Sequence, residues 1–299
     1  MSPGASGAPE PPRLAVIGLG ALGAPVAGRL VATGEHRVVG YDLDPARADA
    51  VPGLTRAASP TAAARGACIV LTCLPTSADV AAVVDDVLPV LEPGALLLDL
   101  TSGEAAATRA LGARLAARGV RLVDAAVTGG VARAATGDLA VLLGGAPDDV
   151  AEAIRVLAPV GSTFLHGGPL GAGQMLKSLN NLVSATGLAI AGEALRIGAA
   201  HGLAPELVVQ VLNAGSGRNH ATETKLVPHV LTGAHASGFG LDLMVKDLGL
   251  ALALAEDGRV ETPLARAVLD RWRSVGAALG PGRDHTEIAR IHPRPEDAP

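Results

Sequence analysis

The sequence is nearly devoid of aromatic residues, with one Trp, one Tyr and two Phe among 299 residues. Aromatic rings therefore cannot dominate a core. Hydrophobic residues nevertheless make up 49% of the chain and charged residues only 18%. This composition excludes a disordered chain and predicts a core filled by Ala, Val and Leu. The length allows one large domain or two ordinary ones.

Basic clusters are also absent from the sequence. The 24 Lys and Arg residues are outnumbered by 29 Asp and Glu residues, and the formal net charge is −5. Proteins that bind nucleic acids draw most of their affinity from Lys and Arg contacts with phosphates. The charge pattern therefore argues against a nucleic-acid partner.

Cysteine is rare, and the two cysteines, Cys68 and Cys73, lie in one apolar run that is typical of a strand. Their odd spacing places them on opposite faces of that strand, which argues against a disulfide and a shared metal. We expect two core thiols in a reducing compartment. The histidines are scattered without metal-ligand spacing, so no metal site is expected.

Long unbroken apolar segments are missing too. Residues 1–12 (MSPGASGAPEPP) lack the apolar region of a signal peptide and are predicted to be a disordered tail. No stretch supplies about twenty apolar residues without a glycine or a charge, so no membrane span is predicted. These features favour a cytoplasmic protein.

Apolar runs alternate with Ala-rich helical stretches through the first half of the chain, which indicates a parallel sheet covered on both faces. The runs are 13–18, 37–42, 68–73, 95–100, 120–124, 139–143 and one that ends near His166. After Gly167 only helical stretches follow, at about 170–200, 204–213, 221–232, 241–257 and 262–279. The sequence thus predicts a doubly wound α/β domain over 13–167 and an all-helical domain over 168–299, with the active site in the crevice between them.

A glycine-rich turn follows the first predicted strand. It reads Gly18-Leu19-Gly20-Ala21-Leu22-Gly23 and fits the pattern G-x-G-x-x-G. In a dinucleotide-binding domain of the Rossmann type, the first glycine permits the tight turn and the second lets the pyrophosphate approach the backbone. The third glycine lets helix and strand pack closely. An ordinary glycine turn is the alternative.

An acidic residue, Asp42, ends the second predicted strand. A carboxylate at this place accepts hydrogen bonds from the ribose hydroxyls of NAD and repels the 2′-phosphate of NADP. No arginine follows it immediately, since the run is Asp42-Leu43-Asp44-Pro45. The pattern therefore favours NAD over NADP as cofactor, although Asp42 could also serve only as a turn or cap residue.

Three further stretches complete a recognisable set. They are 124–130 (DAAVTGG), 171–181 (GAGQMLKSLNN) and 246–251 (KDLGLA). Together with the glycine turn they resemble, in order and over nearly the whole chain from Arg13 to Arg290, the four signatures of the β-hydroxyacid dehydrogenase family. That family includes 3-hydroxyisobutyrate dehydrogenase and tartronate semialdehyde reductase.

The resemblance implies roles for two residues of the long predicted helix. Lys177 resembles the family's catalytic lysine, which gives a proton to the carbonyl oxygen or takes one from the hydroxyl as hydride moves. Asn181, one turn later and next to Asn180, resembles the amide that positions the substrate. A lysine that only covers the helix surface and an asparagine with a purely structural hydrogen bond are the alternatives.

Substrate binding is implied for two other stretches. Thr128, Gly129 and Gly130 resemble the loop that grips the substrate carboxylate. The chain departs from the family pattern there, because the usual form has Pro at 126 and Ser at 128. Lys246 resembles a lysine near both the cofactor and the substrate carboxylate, and a Lys-Asp pair on a solvated helix face is the alternative.

Smaller signals lie at the ends of predicted strands, where ligands collect in parallel sheets. Leu74 and Pro75 resemble a segment over the nicotinamide ribose, with Asp79 as a weaker candidate. Thr101 and Ser102 resemble a backbone contact to the cofactor. The loop residues Arg218, Asn219 and His220 could contact a distal polar group of the substrate, or could form a helix cap and surface loop.

These expectations define an NAD-dependent oxidoreductase that interconverts a small 3-hydroxy acid and its semialdehyde. Surplus apolar surface on the long helix predicts a homodimer or homotetramer. One alternative is a reductase of another carbonyl or of an imine, although imine reductases usually carry Asp or Tyr where this chain has Lys177. The other alternative is a dinucleotide-binding sensor that performs no chemistry.

Overall fold

The computed structural model describes residues 10–291. Most of the predicted tail at 1–12 thus lies outside the described residues. Contacts divide the chain into two compact units, with the division between Lys177 and Ser178. The first unit contains the sheet, and the second is helical.

The strands of the first unit form one sheet in the order β3-β2-β1-β4-β5-β6-β7-β8. They are β1 (Arg13–Ile17), β2 (Arg37–Tyr41), β3 (Thr55–Arg56), β4 (Ile69–Thr72), β5 (Leu96–Asp99), β6 (Arg121–Thr128), β7 (Leu139–Gly144) and β8 (Gly161–Gly168). The part β3-β2-β1-β4-β5-β6 is parallel and has the strand order of a dinucleotide-binding domain. The predicted fold class is confirmed.

Two strand directions differ from the prediction. β7 runs antiparallel to β6 and β8 runs parallel to β7, so both oppose the first six strands, whereas a wholly parallel sheet is expected from the sequence. A parallel crossover takes roughly a dozen residues or more, and the connection at 129–138 holds only a short helix, Gly130–Thr136. The chain therefore turns back beside β6. In addition, β6 continues to Thr128, beyond the predicted end at residue 124.

Helices connect the strands of the first unit. They are α1 (Gly23–Thr33), α2 (Pro45–Asp49), α3 (Pro60–Ala64), α4 (Ser77–Val87), α5 (Ala105–Ala116), α6 (Gly130–Thr136) and α7 (Pro147–Leu157). Local sequence explains several starts: Asp44 and Ser59 cap α2 and α3, each followed by a proline, and Thr76 caps α4.

Both faces of the sheet are buried. Leu14, Val16 and Leu98 pack on one side, while Ile17 and Leu97 pack on the other. Alternate side chains of one strand point to opposite faces, so a run that is apolar throughout needs cover on both sides. The predicted Ala, Val and Leu core is confirmed. Cys68 is exposed, however, and only Cys73 is partly buried, which corrects the expectation of two core thiols.

The helical part begins with α8 (Ala172–Ala200), which continues from the first unit into the second. It is followed by α9 (Pro205–Ala214), α10 (His220–Thr224), a π-helix (Leu226–Leu231), α11 (Leu241–Asp257), α12 (Pro263–Leu279) and a 3₁₀ segment (His285–Ala289). The predicted helices are present within a few residues, except that the stretch predicted at 221–232 is divided into α10 and the π-helix; the 3₁₀ segment is additional.

A single tryptophan helps to fill the core of the second unit. Trp272 is fully buried with Leu188, Leu195, Leu248 and Leu269. Within the described part of the chain, α8 is the helix whose length and apolar composition would be sufficient to cross a membrane, and its mean hydropathy is 1.3. Its buried residues, such as Leu188 and Leu195, belong to this core.

Close packing against α8 predicts a stability effect. A Cβ at Gly192 would lie 2.4 Å from Ala289 Cα, so Gly192→Ala should cost about 1–3 kcal/mol through overpacking. The matched change Gly249→Ala on α11 meets nothing within 4 Å and should add about 0.5–1 kcal/mol. Urea unfolding of both variants measures the difference, and equal stabilities would contradict the packing argument.

Candidate active site

The glycine turn after β1 has the geometry that dinucleotide binding needs. Gly18 has φ +96°, and a Cβ on it would lie 2.3 Å from Cys73 O. A Cβ on Gly23 would lie 2.0 Å from Gly18 O, so helix and turn touch there. At Gly20, by contrast, the nearest atom to an added Cβ is 3.7 Å away. A ligand can thus approach the backbone at the second glycine.

The start of α1 also fits a phosphate group. Its N-cap residue, Leu22, makes no capping hydrogen bond through its side chain, and the first turn contains no acidic residue. The N–H groups and the positive end of a helix dipole attract anions. A cofactor diphosphate would supply the negative charge that the sequence does not provide here.

Asp42 is fixed beside the turn. Its Oδ2 accepts a hydrogen bond of 2.8 Å from Leu19 N, and its Oδ1 accepts one of 2.9 Å from Asp44 N. The carboxylate is therefore held at the end of β2, next to the glycine turn.

A basic residue that the sequence reasoning missed lies close to this carboxylate. Arg47 Nη1 is 3.6 Å from Asp42 Oδ2. The same atom is the nearest one to a Cβ added at Gly20, at 3.7 Å. The residues directly after Asp42 in the sequence, Leu43-Asp44-Pro45, include no arginine. Because Asp44 caps α2, that helix brings its third residue, Arg47, back to the turn. The capping motif D-P was the available signal.

The loops after β4 and β5 are tied together by hydrogen bonds. Leu74 N donates to Thr101 Oγ1 at 3.0 Å, and Thr101 N donates to Asp99 Oδ1 at 3.0 Å. Thr72 Oγ1 donates to the same Asp99 oxygen at 2.9 Å. Burial raises the pKa of Asp99 to about 6, against the lowering effect of the hydrogen bonds from Thr101 and Thr72.

The predicted cofactor contacts in these loops differ in accessibility. Thr101 is buried and its hydroxyl joins the two loops, while Ser102 is half-buried and Pro75 is exposed. The weaker candidate Asp79 forms a capping box with Thr76 at the start of α4. This structural role explains the acidic residue at position 79 without a contact to the cofactor.

The first turn of α8 is anchored by two residues that the sequence analysis did not single out. Asp124 on β6 accepts hydrogen bonds from Gly171 N at 2.7 Å and Gln174 N at 2.9 Å. The Gln174 carboxamide accepts from Gly103 N and donates to Thr101 O, both at 2.7 Å. Burial raises the pKa of Asp124, and the hydrogen bonds from Gly171 and Gln174 lower it.

Lys177 follows this anchor by three residues. Gln174, Ser178 and Asn181 are buried and Lys177 is half-buried. Residues at i, i+3, i+4 and i+7 share one face of a helix, so these four form a polar stripe on α8.

Thr128, Gly129 and Gly130 mark the junction of β6 and α6. Thr128 is the last residue of the strand, and both glycines have positive φ, at +131° and +77°. Residues with a side chain rarely adopt such φ values. The glycines therefore allow the sharp turn from β6 into α6, where Gly129 is half-buried and Gly130 is exposed.

A buried carboxylate organises the candidate residues of the second unit. Asp247 is 2% exposed, its Oδ2 accepts a hydrogen bond of 2.5 Å from Asn181 Nδ2, and its Oδ1 lies 3.2 Å from Lys246 Nζ. Asn180 Nδ2 donates to Asn181 Oδ1 at 3.1 Å. The Lys-Asp pair is therefore not a solvated helix face, and Asp247 is a further candidate site residue that the sequence patterns did not indicate.

The loop at 218–220 has the features of a helix cap and surface loop, which is one of the two interpretations given for it. Asn219 forms a capping box at the start of α10 and accepts from Ala221 N and Thr222 N. Arg218 is exposed and lies 3.8 Å from Glu223, and His220 is also exposed. Over the described part of the chain, no group of three His, Cys, Asp or Glu residues is arranged to hold a metal ion.

Comparison with known proteins places this geometry in a family. Residues 13–168 match the model of the NAD binding domain of 6-phosphogluconate dehydrogenase. Residues 171–292 match the NAD-binding model of NADP-dependent 3-hydroxyisobutyrate dehydrogenase.

Individual relatives agree with the family models. The chain is 34% identical to 2-(hydroxymethyl)glutarate dehydrogenase of Eubacterium barkeri, over 91% of each chain. It is 34% identical to NAD-dependent L-serine dehydrogenase of Pseudomonas aeruginosa, over 87% of this chain and 91% of the relative. A structure of 3-hydroxyisobutyrate dehydrogenase of Mycobacterium tuberculosis with L-serine is 30% identical, has a TM-score of 0.84, and covers 93% of this chain and 98% of that one.

The glycine turn, the anchored lysine helix and these matches over almost the entire chain lead to one conclusion: this protein belongs to the β-hydroxyacid dehydrogenase family and is a 3-hydroxyisobutyrate dehydrogenase-like NAD(P)-dependent enzyme.

Proposed function

We propose that this enzyme catalyses the reversible NAD-linked oxidation of a small 3-hydroxy acid to its semialdehyde, with Lys177 as general acid and base. The observation that supports this most directly is the anchoring of the first turn of α8. Gln174, three residues before Lys177, is hydrogen bonded to the loop after β5, at the sheet edge that also carries the glycine turn. Ligands of doubly wound sheets bind at this edge.

NAD, when bound, accepts the hydride that leaves the hydroxyl-bearing carbon. The residues of the chain have the remaining tasks. Gly20 and the start of α1 would bind the diphosphate, and Asp42 would bind the ribose hydroxyls. Lys177 would take the hydroxyl proton during oxidation and return a proton to the carbonyl oxygen during reduction.

Substrate recognition follows from the carboxylate that every 3-hydroxy acid carries. The Thr128 hydroxyl and the backbone N–H groups of Gly129 and Gly130 would donate hydrogen bonds to it. Asn181 and Lys246, both held by Asp247, would orient the substrate and complement its charge. Among substrates we favour 3-hydroxyisobutyrate-like acids first, and compounds like glycerate or tartronate semialdehyde next. Dehydrogenases of L-serine and 2-(hydroxymethyl)glutarate among the relatives support a 3-hydroxy acid.

Lys177→Ala should lower kcat by about 10²- to 10⁴-fold, the usual contribution of a positioned acid or base. NAD affinity should stay near that of the wild type, because the lysine is not assigned to cofactor binding. NADH formation from a panel of 3-hydroxy acids measures kcat, and fluorescence titration measures binding.

Lys177→Arg serves as the matched control for charge. Arginine stays protonated in proteins, so this variant should be as impaired as Lys177→Ala. An equal loss of NAD binding in both variants would indicate a structural lysine. Absence of NADH with every acid in the wild type would favour reduction of another carbonyl or an imine, or a sensor without chemistry.

Cofactor preference is the second part of the proposal. Asp42 favours NAD, but Arg47 beside it offers a positive charge to a 2′-phosphate. We therefore propose a preference for NAD that is moderate, with residual use of NADP.

Asp42→Ala should lower the ratio of kcat/KM for NAD to that for NADP by about 10- to 100-fold. It removes charged hydrogen bonds to the ribose, worth about 1.5–3 kcal/mol, and it frees Arg47. Asp49→Ala on α2 removes the same charge from an exposed position and should leave the ratio unchanged. Steady-state kinetics with both cofactors checks this, and an unaltered ratio in Asp42→Ala would refute the assignment.

A homo-oligomer is the third part of the proposal, with a second copy of this chain as the partner. Leu176, Val183, Ile190 and Ile197 on α8 are exposed at seven-residue spacing. Such spacing forms one continuous apolar stripe along a helix. Exposed stripes of this kind mark interaction surfaces, and the identical stripe on another copy would match it in length and chemistry.

Val183→Glu should dissociate the oligomer, raising its dissociation constant by about 100-fold or more, since the charge would be buried without a partner. Val260→Glu, the same change at an equally exposed valine outside the stripe, should have no effect. Sedimentation equilibrium measures both. A monomeric wild type would contradict the proposal, and a wild type that requires detergent would point to a membrane as the cover of the stripe.

A further inference from the structure

The Gln174 side chain occupies an unusual position for an amide on a largely apolar helix. It is 1% exposed, and its carboxamide makes two hydrogen bonds of 2.7 Å to the backbone of one loop. Gly103 N donates to its oxygen, and its nitrogen donates to Thr101 O. A buried amide with both ends satisfied fixes its partners more firmly than a surface hydrogen bond does.

The same residue is also held through its main chain. Gln174 N donates to Asp124 Oδ2, and Gly171 N donates to Asp124 Oδ1. The start of α8 is therefore attached to β6 through Asp124 and to the loop after β5 through Gln174. The first attachment uses only backbone atoms of the helix, so it does not depend on the side chain at position 174.

The loop that Gln174 holds continues the connection toward the proposed cofactor contacts. Thr101 Oγ1 accepts a hydrogen bond from Leu74 N, which joins the loop after β5 to the loop after β4. Gly103 is closely surrounded as well, because a Cβ there would lie 2.3 Å from Ser77 Oγ at the start of α4 and 3.8 Å from Gln174 Nε2. The loops and the helix turn thus form one closely packed set.

Lys177 lies one helical turn beyond Gln174, so a shift or tilt of the first turn changes the position of its ammonium. Proton transfer is sensitive to such changes, and a displacement of about 1 Å can cost roughly 100-fold in rate. The hydrogen bonds of Gln174 set the distance between the loop at 101–103 and the turn that precedes the lysine.

We propose that Gln174 is a positioning residue, which couples the loop that contacts the cofactor to the lysine that transfers the proton. This inference rests on the proposed role of Lys177. It assigns to Gln174 a task beyond folding: the same two hydrogen bonds hold the cofactor loop in its binding conformation and the lysine at its working distance.

Gln174→Met tests the proposal, since methionine has a similar length and helix propensity but makes neither hydrogen bond. We expect kcat for oxidation to fall by about 10- to 100-fold and NAD affinity to weaken several-fold. The acid limb of the kcat–pH profile should move to higher pH, because a displaced lysine is more hydrated and holds its proton more firmly.

Two further variants separate positioning from folding. Gln210→Met makes the same change at an exposed amide on α9 and should leave all three readouts unchanged. Gln174→Glu can imitate both hydrogen bonds only while its carboxyl is protonated. Its NAD affinity should therefore be near that of the wild type at low pH and should fall as the pH rises.

The outcomes are distinct. A Gln174→Met enzyme with a lower melting temperature but unchanged kcat, NAD affinity and pH limb would overturn the proposal and leave a structural amide. If Lys177→Ala were fully active, the proposed function itself would fail. An inactive Lys177→Ala beside a fully active Gln174→Met would overturn only the coupling.

Discussion

The contact between the Asp124 carboxylate and the start of α8 is the constraint on which the candidate site depends. A buried carboxylate is costly unless its oxygens are hydrogen bonded. Asp124 receives backbone N–H groups of Gly171 and Gln174 and faces the positive end of a 29-residue helix. The packing between the helix start and this carboxylate leaves no space for a side chain at Gly173, since a Cβ there would lie 2.7 Å from Asp124 Oδ2. This contact determines where the helix begins and hence where every later residue on it points.

The consequences extend along α8 because a helix repeats its geometry. Once the start is fixed, Gln174, Lys177, Ser178 and Asn181 must share a face, and the apolar stripe must lie on another. The polar residues would be poor choices for an apolar helix if stability were the only requirement. Their burial is compensated by specific partners: the loop at 101–103 for Gln174 and Asp247 for Asn181.

The sequence predicts the features that depend on periodicity and short motifs. Apolar runs locate the strands, and the glycine turn with Asp42 is recognised from its spacing. The sequence does not predict features that arise when folding brings distant segments of the chain together. The antiparallel direction of β7 depends on the length of one connection, and Arg47 reaches Asp42 only because α2 folds back. Asp247 is hydrogen bonded to Asn181, which is distant in sequence, so the adjacent pair Lys246-Asp247 by itself left a solvated helix face open as the alternative.

Asp247 also distinguishes the surroundings of the two lysines in the family motifs. Its carboxylate is 2% exposed, lies 3.2 Å from Lys246 Nζ and accepts a hydrogen bond from Asn181. Lys246 and Asn181 are therefore held by the same buried group, which suits the substrate-binding role that we propose for both. Lys177 lies instead on the helix turn that Gln174 attaches to the loop at 101–103. The two lysines are thus positioned by different parts of the structure, which agrees with the different tasks that we propose for them.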